Sequence, residues 1–129
     1  MNSKVKYWVE LSDYDLETAI AMQKSKRYLY VGFMCHQTIE KIFKAYFSFL
    51  KNKTAPFSHS LSYLAKSGEF YDEFSEEQKD FIDQIEPLNI EARYPLDKEN
   101  LLKSLNDAKC KEIIDNTRKI QKWIKQKLY

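Results

Sequence analysis

Residues 27–51 read as one helix whose apolar side chains run around well over half of its circumference. At about 100° per residue, Val31, Cys35, Ile39, Ile42, Phe43, Tyr46, Phe49 and Leu50 fall on one arc. Leu29, Phe33, Met34, Ala45 and Phe47 widen it. A helix this apolar must be central, so the rest of the chain has to supply elements that pack around it. The polar strip left over is narrow. It holds Gln37, Glu40, Lys41, Lys44, Ser48 and Lys51, with His36 at its edge between Phe43 and Leu29/Phe47.

The surrounding elements also read as helices. The sequence has two Gly and three Pro in 129 residues. That is too few breaks for an all-β sandwich, which needs a turn signal every 8–12 residues or so. Residues 3–24 put Trp8, Leu11, Leu16, Ala19, Ile20 and Met22 on one side, and Asp15 falls among them. A carboxylate on a core-facing side is costly unless paired, so Asp15 predicts a partner on another helix, with Lys41 or Lys44 as candidates. Residues 52–58 form a loop. His59–Lys66 reads as a short helix with Ser58 as a possible N-cap and Gly68 as its stop. Ser75-Glu76-Glu77-Gln78 is a capping box that opens the next helix, and Pro87 limits it. Glu91-Ala92-Arg93-Tyr94-Pro95 reads as a loop or helix exit. A short turn over 98–105 precedes a last helix, 107–128, capped by Asn106, with Ile113, Ile114, Ile120, Trp123, Ile124 and Leu128 on one side. The expected fold is all-α: a single domain over 1–129, built as an antiparallel up-and-down bundle of four main helices plus short helices.

Charge is uneven. Residues 103–129 carry eight Lys or Arg against three acids, so that segment is +5 and the remainder −3. Such an end can meet phosphates, or simply be a solvated face whose lysines suit a helix C-terminus. Cys35 and Cys110 lie in apolar-periodic stretches without metal-ligand spacing, as expected of buried reduced thiols. The N-terminal stretch is too acidic for a signal peptide, and no window approaches the roughly 18 apolar residues of a membrane span. The expectation is a cytoplasmic protein.

Enzyme motifs are scarce. The sequence has no G-x-x-x-x-G-K-[ST], G-x-G-x-x-G or G-x-S-x-G, and two Gly leave little for a glycine-lined phosphate cradle. His36 and Glu40 are one helical turn apart, but no second His–carboxylate pair accompanies them, so neither a metal nor a cofactor is expected. The strip of His36, Gln37, Glu40, Lys41 and Lys44 reads either as a solvated salt-bridge face, with Glu40 and Lys44 in the favourable i, i+4 order, or as a polar groove beside the core. Arg93-Tyr94-Pro95 places a guanidinium beside an aromatic, suited to phosphate docking or to locking a loop. His59 reads as a helix-start packing residue.

Taken together, these segments resemble the HEPN domain family. The first helix carries Asp15-Leu16 followed by Ala19, similar to A-x-x-D-L-x-x-A. Residues 35–45 are similar to h-x-Q-x-x-E-K-x-x-K-A. Ser58-His59-Ser60-Leu61 with Leu64 resembles T-H-x-L-x-x-L, and Ala92-Arg93-Tyr94-Pro95 matches A-R-Y-P. The resemblance implies a helical bundle, often dimeric, associated with nucleotides or RNA and often paired with a nucleotidyltransferase, in some members as a toxin of a toxin–antitoxin pair. Ligand contacts would fall on Asp15, Gln37, Glu40, Lys41, Lys44, Arg93 and Tyr94. Some members are metal-independent ribonucleases with a His four to six residues after an Arg. After Arg93 those positions are Asp97, Lys98 and Glu99, and no His follows His59. The resemblance therefore implies binding rather than catalysis, unless His36 or His59, with Arg93, replaces the missing imidazole. A purely structural dimerisation module is the remaining alternative.

Overall fold

The computed structural model describes residues 2–91 and 98–129. Three long helices, α1 (Ser3–Lys24), α2 (Tyr28–Lys51) and α7 (Asp107–Leu128), are joined through shorter ones: α3 (Leu61–Ser67), α4 (Glu76–Ile85), α5 (Leu88–Glu91) and α6 (Lys98–Ser104). A 3-10 turn covers Tyr71–Glu73. No strand occurs among the described residues. The molecule is all-α.

Local chemistry sets the boundaries. Asn2 caps α1 by accepting from the Val5 N–H at 2.9 Å. Lys26, at φ 62°, reverses the chain between α1 and α2, so the two helices run antiparallel. Asn52, at φ 53°, ends α2 in the left-handed conformation that Asn tolerates. The Ser75–Gln78 capping box opens α4, and Asn106 caps α7. Among the described residues no helix is long and apolar enough to cross a membrane.

Cross-contacts give the order. Phe74, just before α4, stacks on Phe43, while Glu86, just after α4, reaches His36. Thus α4 runs antiparallel to α2. Gln23 and Asp107 approach at 3.5 Å, and Gln121 bonds Ser12 at 3.0 Å, so α7 runs antiparallel to α1. Tyr28 and Cys110, at the starts of α2 and α7, lie together. The helices therefore alternate up and down around α2, which is buried from Leu29 to Ser48 on most of its surface.

Several local expectations change. The innermost stripe of α1 is Val5, Val9, Ser12, Leu16 and Ala19, while Trp8, Leu11, Ile20 and Met22 are half-buried. Ser12 stays in the core because it is fully bonded, donating to the Thr38 carbonyl and accepting from Gln121. Phe49 and Leu50 lie beyond the covered part of α2 and are exposed. The cap of α3 is Ser60, not Ser58, and Ser58 instead accepts from the Ser60 N–H. Both cysteines are buried and free, and burial pushes Cys35 up to about 12 and Cys110 up to about 11.

Gly68 does end α3, but at φ −81°, an angle open to any residue. The left-handed position is Glu69, at φ 62°. Glycine is needed at 68 for space. A Cβ there would sit 2.5 Å and 2.7 Å from ring carbons of Phe70, a fully buried ring packed on Phe43 and Tyr46. Gly68→Ala should therefore destabilise by about 1–3 kcal/mol. Glu69→Gly should be neutral or mildly stabilising. Urea unfolding of the two variants checks this. A neutral Gly68→Ala would show that packing against Phe70 does not fix residue 68.

Candidate functional site

The polar residues of α2 at 36, 37, 40, 41 and 44 repeat at helical spacing, so they form one strip. The structure covers that strip. Elements from α1, the segment before α3, and the α4–α5 junction close over it, and each brings a polar partner.

Lys41 Nζ lies 3.0 Å from Asp15 Oδ2 and 2.9 Å from Gln37 Oε1. The two charged side chains are 17% and 13% exposed, so the pair is largely desolvated. The partner expected for Asp15 is thus Lys41. Gln37 Nε2 donates onward to Asn89 Oδ1 at 3.2 Å.

A second group centres on Glu40, which is 2% exposed. Its Oε2 accepts from Lys44 Nζ at 3.3 Å, and its Oε1 faces His59 Nδ1 at 2.9 Å. Lys44 Nζ also stands 5.1 Å from the ring centre of Trp8. With both oxygens engaged, the carboxylate is fixed. It orients an imidazole whose side chain is 65% exposed.

The third group centres on His36. It is fully buried rather than at an accessible edge, because the segment after α4 covers it. His36 Nε2 donates to Glu86 Oε2 at 3.0 Å, while Nδ1 has no partner among the described residues. Glu86 Oε1 accepts from the Leu61 N–H at 2.8 Å and from Ser60 Oγ at 3.2 Å.

The solvated-face reading of the strip therefore gives way to a covered network. Lys41 and Lys44 spend their charges on Asp15 and Glu40, so the strip is close to locally neutral. Three participants, Asn89, Glu86 and the Glu40-bonded His59, were not assigned to it from sequence. Glu86 and Asn89 flank Pro87 and carry no spacing that ties them to residues fifty positions earlier. Arg93 and Tyr94 lie outside the described residues.

Burial alone would raise Glu86. The hydrogen bond and charge of His36 outweigh it, aided by the Leu61 N–H and Ser60, and hold the carboxyl below its ordinary value. A depressed carboxyl stabilises the fold above its unfolded value of 4.5, and that stabilisation is lost as pH falls through the lower folded value. Chemical unfolding of wild type and Glu86→Gln should differ most above pH 4.5 and converge below it. A difference that stays flat across the acid range would remove Glu86 from the acid response.

An all-α bundle around one buried helix, with a paired His, carboxylate and Lys strip along it, is the class defined by this arrangement. The HEPN domain family matches residues 5–127, and the chain belongs to that family. Among solved structures, TT1696 from Thermus thermophilus is similar with a TM-score of 0.81 and 18% identity, covering 98% of this chain and 99% of that one. ST0689, an archaeal HEPN homologue, is similar with a TM-score of 0.78 and 19% identity, covering 99% and 100%. At these identities the likeness concerns the fold. No curated protein matches the chain.

Proposed function

We propose that this chain is a HEPN module that binds a nucleotide, or a nucleotidyltransferase-type protein partner, without catalysing a reaction. The observation that carries the reading is the Asp15–Lys41–Gln37–Asn89 chain of bonds. It ends on α5, four residues before Arg93 in sequence. A nucleotide meeting this edge would find Asp15 and Gln37 for hydroxyl or base groups, Lys41 for phosphate, and Arg93 with Tyr94 for phosphate and stacking. Glu40 and Lys44 would brace the strip from beneath. The same reading makes the chain a single cytoplasmic domain that forms a homodimer.

Isothermal titration with ATP, ADP, AMP and their guanosine counterparts tests it. Binding should weaken about tenfold or more in Arg93→Ala and in Lys41→Ala, since each removes a charge-assisted bond. No heat with any nucleotide, or affinity indifferent to Arg93→Ala, rejects nucleotide binding.

The Glu40–His59 pair favours a second reading, a metal-independent ribonuclease toxin. A buried carboxylate orienting a largely exposed imidazole is an arrangement that suits general acid–base chemistry. RNA cleavage and growth arrest on expression, both abolished by His59→Ala while the fold is retained, would establish it. RNA left intact by the wild-type protein would dismiss it.

A further inference from the structure

An opening on the surface that combines apolar and charged lining lies away from the α2 strip, between α4 and α7. It has a volume of about 440 Å³, within the range of small-ligand sites. Phe81 and Ile120 are nearly buried and form its floor with the half-buried Trp123. The indole is held in place, 5.2 Å from the Phe74 ring and with Lys127 Nζ 4.3 Å from its centroid.

The two walls differ in charge. Glu77, in the first turn of α4, is on one side, and Lys119 of α7 is on the other, both exposed. The amides of Gln78 and Asn116 lie on the same walls. Gln78 Oε1 already accepts from the Ser75 N–H of the capping box, which fixes the amide and leaves its N–H groups free to donate. Glu76, next to Glu77, is matched internally by Lys79.

This lining selects a chemistry. A di- or triphosphate would set several negative charges against a single lysine and close to a carboxylate, with no glycine-rich backbone to receive them. A purely apolar ligand would use the floor and none of the charged and amide groups on the walls. A small molecule carrying one cationic and one anionic group on a large apolar body satisfies every wall.

We propose that the α4–α7 cleft binds a free amino acid with a large apolar side chain. Its ammonium faces Glu77, its carboxylate faces Lys119, and its side chain lies on Phe81, Ile120 and Trp123. The site is independent of the nucleotide reading, because none of its residues belongs to the α2 strip.

The test uses the full chain carrying Trp8→Phe, which leaves Trp123 as the single indole. L-Phenylalanine should change Trp123 emission with a Kd on the order of 0.1–1 mM, as befits a small ligand in an open cleft. Phenethylamine, which lacks the carboxylate, and 3-phenylpropanoate, which lacks the ammonium, should each bind about tenfold more weakly. Lys119→Ala should abolish the preference for L-phenylalanine over phenethylamine, and Glu77→Ala its preference over 3-phenylpropanoate. Both substitutions are at exposed positions, and circular dichroism verifies that the fold is kept. Heteronuclear NMR of the unsubstituted chain, followed at the Trp123 indole N–H, repeats the titration without Trp8→Phe. No response to L-phenylalanine up to about 10 mM overturns the proposal. So does equal affinity for the two single-charge analogues and the amino acid.

Discussion

Glu40 is 2% exposed on a helix enclosed by its neighbours. A carboxylate removed from water to that extent costs several kcal/mol unless its oxygens are bonded and its charge is balanced. Lys44 and His59 meet that requirement, and the rest of the strip follows the same logic. Asp15 arrives from α1 for Lys41, Asn89 from α5 for Gln37, and Glu86 from the end of α4 for His36. Apolar packing around α2 is non-directional, whereas these bonds accept one register each. They therefore specify how α1, the segment before α3, and the α4–α5 junction sit on the central helix.

That structural duty alters what the strip can do as a site. Its lysines do not form an open anion cradle, since each already faces a carboxylate. A ligand phosphate at Lys41 must displace or share with Asp15, so the gain is the difference between two ion pairs rather than the whole of one. Such a site favours ligands that also satisfy Asp15 and Gln37, which a sugar hydroxyl or a base edge can do. His59 differs from the others. Its Nδ1 is held by a buried carboxylate, yet most of its side chain is exposed, which sets it apart from the fully buried His36.

Much of the fold was legible in the sequence, because periodicity and capping act over a few residues. The wide apolar arc of α2, the Ser75–Gln78 box, the Asn106 cap and the need of Asp15 for a cation all follow from local spacing and the cost of buried charge. What was not legible depends on which distant segment covers which face. His36 looked accessible because nothing in residues 27–51 announces that Glu86 will close over it. Ser58 and Ser60 are equivalent as caps by composition, and the choice falls on Ser60 through the hydrogen bonds that Glu86 makes to Ser60 and Leu61. Gly68 signalled a helix end correctly for a reason the sequence does not display, namely contact with Phe70. The Asp15–Lys41 pair was reachable from sequence, whereas the partners of Glu40 and Gln37 outside α2 were not.

The basic C-terminal segment shows why formal charge overstates a binding surface. Lys125 is bonded to Asp13, Lys127 reaches Glu73 while covering Trp123, and Lys109 faces Glu112. These contacts fasten α7 to α1 and to the turn before α4, as well as bridging along α7 itself. The cations on the outer side of its C-terminal half are Arg118, Lys119 and Lys122, with Asp115 one turn earlier. Three cations beside an acid, on a single helix and at ordinary ionic strength, give a weak and strongly screened attraction for a polyanion. The field there is better matched to one carboxylate held close against an apolar floor than to a phosphate backbone. The charge of α7 thus serves mainly to dock the last helix onto the bundle, and what is left is local enough to act within the α4–α7 cleft.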